Sequence, residues 1–193
     1  MVAEVIQYKR SDEVKLCFAA AHDGHDIAID KWERSKRGLY TSGAATCIVL
    51  AGYNFETDEG LMGHFSAVAP AHVAQRPPAS DDERFDKALE ALADLGDPRH
   101  TGVWLGGGAP FVFLGEDGVK ADRTAAQELV AVQLEAMGAA AGLLDIRWSA
   151  VDHAIDVELD CHNGYMAVHD YPIRPSSAQI AQTYLTRLLG AHL

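Results

Sequence analysis

The chain has 193 residues, 48% of them hydrophobic and 23% charged, enough apolar material for one domain with a real core and too little length for two comfortable ones. Against 28 acidic side chains stand 16 basic ones, a formal charge of -12, which argues against general affinity for DNA, RNA or anionic membrane, whose phosphates it would repel. No run approaches the roughly 20 apolar residues that span a bilayer, and the N-terminus lacks the apolar core of a signal peptide, so the cytoplasm is the default location.

The first residues are uninformative, and then Val14 to Ala21 forms a short apolar run expected to be a buried strand, with Cys17 a small packed hydrophobe within it. Residues 21–30, AHDGHDIAID, hold His22, Asp23, His25 and Asp26. These are chemically suitable metal ligands, but a glycine among aspartates also marks a plain turn, and no metal is assigned. Ile27 and Ile29 alternate as in a short strand. Lys31 to Gly38 reads as a basic, solvent-facing connection or one helical turn, with Trp32 anchoring it to the core.

Thr41 to His64 holds the chemistry. Cys47 follows the small residues GAAT (43–46) and precedes the apolar run IVLAG, so its sulfur sits where a turn becomes a strand. His64 ends a second apolar run. Cysteine is the side chain best suited to nucleophilic attack near neutral pH, and a histidine can take its proton and return it to a leaving group. The small residues leave the sulfur reachable and bring backbone amides, Thr46 among them, near an attacked carbonyl oxygen. The same residues also fit a plain core cysteine and a satisfied histidine.

Beyond a Pro-containing loop at Ala71 to Ser80, Ser80 and Glu83 make a capping box. Phe85, Leu89, Leu92 and Leu95 then repeat at helical spacing, predicting an amphipathic helix over 81–95 stopped by Gly96 and Pro98. Thr101 to Leu105 and Phe111 to Leu114 read as strands around Gly106, Gly107 and Gly108. No Lys-Ser or Lys-Thr follows these glycines, so they are not a phosphate loop. They serve close strand packing or, alternatively, form a wall of the active site. Gly115 to Asp122 reads as a polar turn, and a broad apolar helix face starts at Thr124 and runs to Gly138.

Leu143 to Trp148, Ala154 to Cys161 and Tyr165 to Tyr171 are strand candidates, the last two joined by Asn163-Gly164, the signal of a type I′ hairpin in which both turn residues take positive φ. Cys161 and His162 are neighbours pointing to opposite faces and do not make a second catalytic pair. A final helix is expected at about 176–189, capped by Ser176 and Gln179. The three cysteines are odd in number and include no close C-x-x-C pair, which argues against a disulfide framework or a zinc knuckle and leaves at least one free thiol expected.

The central stretch resembles the CheD-like family of bacterial chemoreceptor glutamine deamidases. In that family a threonine stands six residues before the catalytic cysteine and the catalytic histidine seventeen after it; Thr41, Cys47 and His64 meet both intervals. The family's Gly-Ser-Cys is Ala45-Thr46-Cys47 here, with an alanine in place of the usual glycine. WLGGGAP, 104–110, resembles its glycine-rich segment, and the last hairpin resembles its C-terminal pair, so the correspondence covers about residues 25–171. The same architecture is used by bacterial toxin deamidases.

The resemblance implies an α+β fold, a mixed β-sandwich core with helices packed on the outside, in a single domain over 1–193 with the C-terminal helix as an addition. It implies a Cys47–His64–Thr41 triad that hydrolyses a protein glutamine to glutamate and ammonia, with Thr46, Gly106 and Gly107 as possible oxyanion or substrate-wall residues. No metal or organic cofactor is required. The partner would be a protein bearing the target glutamine, a chemoreceptor or, for an effector, another protein. The alternatives are a different cysteine hydrolase or transferase and a non-catalytic binding protein.

Overall fold

The computed structural model describes residues 4–7, 25–66, 83–115, 118–122 and 143–173. Its strands are β1 (Glu4–Gln7), β2 (His25–Asp26), β3 (Lys31–Ser35), β4 (Gly38–Ala44), β5 (Ile48–Asn54), β6 (Glu59–Phe65), β7 (Thr101–Gly107), β8 (Phe111–Gly115), β9 (Gly118–Asp122), β10 (Leu143–Trp148), β11 (His153–Asp160) and β12 (Tyr165–Pro172); among the described residues one α-helix, α1 (Glu83–Ala93), and a 3-10 turn at Pro98–His100 lie between β6 and β7. The architecture is therefore α+β and dominated by strands.

Two five-stranded sheets organise these elements. The first runs β1-β12-β11-β4-β2 and the second β10-β7-β5-β6-β3, while β8 and β9 form a separate two-stranded hairpin. Pairing is antiparallel except at β2 with β4 and β10 with β7, which are parallel.

Every residue of β5 and β7 is buried, and the side chains of β5 divide by parity. Val49, Ala51 and Tyr53 join a cluster with Leu39, Val157, Leu159 and Met166 of the first sheet. Ile48 and Leu50 join the opposite cluster with Phe85, Leu89, Leu92 and Leu95. The second sheet is thus covered on one face by residues of the first and on the other by α1. That is why β5 reads as a continuous apolar run rather than an alternating one. The helix packs closely: a Cβ on Gly52 would stand 2.1 Å from Leu92 Cδ1.

Four local expectations differ from the structure. Lys31 to Ser35 is neither a connection nor a helical turn but an edge strand paired antiparallel with β6; Trp32 packs partly buried on the helix-side cluster. Gly118 to Asp122 is a strand that pairs with β8, not part of a polar turn. The two-residue β2 lies at His25–Asp26, just before the expected Ile27–Ile29 strand; Ile27 is buried and Ile29 is exposed in a turn.

The β11–β12 connection is not type I′. Of its residues Gly164 has positive φ, 66°, and Asn163 does not. Asp160 shapes this loop: its carboxylate accepts from the Asn163 backbone N–H (2.9 Å) and side-chain amide (2.7 Å), and its carbonyl accepts from Gly164 N–H (2.8 Å). An aspartate that satisfies the turn's own donors removes the need for a second left-handed residue.

The Val14–Ala21 strand, the 71–80 loop, the Ser80 cap, the helix from Thr124 and the helix at 176–189 lie outside the described residues. Among the described residues no helix is long and apolar enough to cross a membrane.

Candidate active site

Thr41 and His64 come from different sheets. Thr41 lies on β4 with its side chain turned inward beside that of Leu39, and His64 lies on β6 facing it; both are essentially inaccessible, at 0% and 1% exposure. Thr41 Oγ1 and His64 Nδ1 are 2.7 Å apart. The hydroxyl has a single proton, and it is donated to the Ile27 carbonyl at 2.8 Å, a group that can only accept. Thr41 must therefore accept from His64, which places the imidazole proton on Nδ1 and leaves Nε2 as a bare lone pair. Nε2 is buried and makes no hydrogen bond among the described residues.

The ring is also held through its backbone, since the His64 carbonyl accepts from Asp30 N–H at 2.6 Å. Asp30 has φ 62°, a conformation that aspartate tolerates better than most residues. Burial depresses the imidazole pKa below its ordinary 6.5, and the negative charges of Asp30 and Asp26 oppose that effect without cancelling it. At neutral pH His64 is uncharged and able to accept a proton.

Cys47 reaches the same space from the turn between β4 and β5. It is half-buried and packs against the inter-sheet cluster to which Val49 belongs. Val49 is the register partner of His64. Two residues before Val49 and just ahead of β5, Cys47 packs on the same inter-sheet side as Val49. Its sulfur makes no hydrogen bond to Nε2 in this structure.

The turn that carries Cys47 is built by glycines on both sides. On the β4 side, Thr41 pairs with Val157 and Ala44 with Ile155, so three steps of β4 oppose two of β11. This bulge is made by Gly43 at φ 69°, and its N–H is anchored by Asp156 Oδ1 at 2.9 Å. On the other side, Gly108 N–H donates to the Cys47 carbonyl (2.7 Å) and Ala109 N–H to the Ala45 carbonyl (2.9 Å). Gly107, with φ 81°, lies so close that a Cβ there would be 2.4 Å from the Cys47 carbonyl oxygen. Gly106 has a separate reason: the Trp104 ring occupies its side-chain position, 2.0 Å from where a Cβ would sit. Gly107 and Gly108 therefore hold the turn through their backbone, while Gly106 makes room in the core. The amides of Gly108 and Ala109 are already engaged and are not oxyanion donors. Thr46 is half-buried in the turn itself.

The second cysteine is chemically quiet. Cys161 is fully buried, and desolvation, reinforced by Asp160, pushes its thiol up to about 12; His162 beside it is exposed. Among the described residues no three His, Cys, Asp or Glu side chains are gathered as a metal site. Sequence reasoning missed the Ile27 carbonyl, which fixes the Thr41 proton, and Asp156, which anchors the bulge. Neither has a local signal, because each acts across strands distant in sequence.

No family model matches the sequence, and no curated protein matches it. Among solved structures, a crystal structure of a Neisseria meningitidis protein of family DUF152 is similar at 10% identity and a TM-score of 0.37, over 70% of this chain and 60% of that one. This chain therefore spans less than two thirds of that protein's length.

Proposed function

We propose that the protein is a CheD-like cysteine amidohydrolase that converts a glutamine side chain of a protein substrate to glutamate. The observation that supports this reading best is the Thr41–His64 hydrogen bond, because Thr41's commitment to Ile27 leaves the imidazole with its acceptor nitrogen free on the face shared with Cys47. A histidine that only filled the core would be expected to satisfy both nitrogens. The sharing of one buried cluster between two sheets is also what a β-sandwich of this family would have.

In the proposed reaction Cys47 rotates toward Nε2 and transfers its proton there. The thiolate attacks the carboxamide carbon, and the tetrahedral intermediate collapses as His64 protonates the departing nitrogen, which leaves as ammonia. Water then attacks the thioester with His64 as base, releasing glutamate and restoring the thiol. Thr41 holds the ring in one tautomer throughout, as the third member of a triad does. The atoms balance with water as co-reactant, and no cofactor is needed.

The experiment is ammonia release from a purified chemoreceptor cytoplasmic domain, with the modified glutamine located by its mass change. Release by the wild type and its loss in Cys47→Ser are expected. Equal release by Cys47→Ser would overturn the mechanism, and no release with Cys47 nevertheless highly reactive toward alkylating agents would redirect it to a different amide or ester.

A further inference from the structure

The Trp104 ring, laid over Gly106, is one wall of a cavity of about 130 Å³. Trp148, Ile155 and Val168 supply further apolar surface, and Arg147, Ser149 and Asp170 the polar part. A cavity of roughly 150 Å³ accommodates a benzene molecule, so this one holds one side chain and no more. Its charged side chains already have partners: Arg147 pairs with Asp145 at 2.7 Å, and Asp170 Oδ1 lies 2.6 Å from His153 Nδ1, within hydrogen-bond distance. Such a lining favours an uncharged, apolar occupant over an ionic one.

β7 lies between the strand that follows Cys47 and β10, whose Arg147 and Trp148 line the cavity. Gly107 is the shared partition: it is the register partner of Ile48, which follows Cys47, and of Trp148. Its carbonyl accepts from Ser149 N–H at 2.7 Å. The side-chain position it leaves empty lies 2.4 Å from the Cys47 carbonyl oxygen and 3.6 Å from Ile155 Cδ1. From the strand of Cys47 across β7 to β10 is two strand spacings, about 10 Å. An extended polypeptide covers that distance in about three residues.

We infer that this cavity is a specificity subsite for an aliphatic side chain of the protein substrate, about three residues from the glutamine presented to Cys47. The inference rests on the proposed function for the identity of the substrate, and on the cavity and its distance from Cys47 for the rest. Burial of one such side chain accounts for a preference of about 10- to 100-fold over an unsubstituted partner.

The test uses chloroacetamides, whose chloride is displaced by the cysteine sulfur, so it needs no turnover. Labelling of Cys47 in the full chain is timed by intact mass for chloroacetamide itself and for derivatives that carry an isobutyl head on spacers of increasing length. A head-group acceleration of about 10-fold or more, greatest near a 10 Å spacer, is expected. In Val168→Trp, which fills the cavity, the ratio of headed to parent rates should fall to about one; Trp148→Ala, which removes a wall, should lower the same ratio if the first variant does not fold. Acceleration at no spacer length, or acceleration that persists in both variants, would overturn the subsite. Slow labelling by the parent reagent with the head-group ratio intact would instead count against Cys47 as an activated nucleophile and leave the subsite standing.

Discussion

Thr41 has one hydroxyl proton, and its donation to Ile27 decides which nitrogen of His64 is basic. Thr41→Val keeps the shape and removes that control. It leaves the Ile27 carbonyl and the imidazole N–H without partners, at a cost of roughly 1–3 kcal/mol each at most. We expect a fall of about 100-fold in turnover, the scale of misplacing a general base, and a lower urea midpoint in the same variant. Protonation gives a second residue-level prediction. The folded value of His64 lies below its ordinary 6.5, so the folded chain binds fewer protons than the unfolded one between those two values. The His64 contribution to stability is therefore fully present above about pH 6.5 and lost as pH falls toward the folded value. Activity, which needs the neutral ring, should have its acid limb below 6.5; a limb above 6.5 would contradict the buried base. The two described cysteines should also separate: iodoacetamide is expected to label half-buried Cys47 and to spare Cys161 in the native state, as read by peptide mapping. Cys161 is sealed and its thiol stays protonated up to about 12.

At the scale of elements, the turn that carries Cys47 depends on glycines at strand ends. Gly107→Ala would bring a methyl group against the Cys47 carbonyl and force an alanine to φ 81°. The turn must shift to relieve this, at about 1–3 kcal/mol, and Cys47 labelling kinetics should change together with the melting temperature. Gly43→Ala meets no neighbouring atom within 4 Å but keeps φ 69°, so its smaller cost, about 1 kcal/mol, should come from the backbone alone. Two of the elements that differed from sequence expectation share one cause. Lys31–Ser35 and Gly118–Asp122 are strands at a sheet edge or in a two-stranded hairpin, where charged side chains are tolerated and protect against further pairing. Read locally, such sequences look like connections. α1 was legible because the repeat of Phe85, Leu89 and Leu92 is itself the face that packs, and β5 because a strand covered on both sides begins with the apolar run Ile48 to Gly52.

Across the whole molecule, the candidate site exists only because two sheets meet: Thr41 comes from the first and His64 from the second, while Cys47 sits on the link between them. The second sheet is held in place from behind by α1. Leu92→Ala should therefore cost about 2–5 kcal/mol, measured by denaturant unfolding, without contact with the site itself. From sequence alone came the reactive residue types, their spacing, the strand-rich α+β character and the buried helix face, because periodicity and side-chain chemistry are local properties. The tautomer of His64, the sealing of Cys161, the backbone contacts of Gly107 with the Cys47 turn and the cavity beside Trp104 were decided by tertiary structure. Each depends on a partner dozens of residues away, and only the packing of one sheet against another determines which atoms are brought within hydrogen-bond or van der Waals distance.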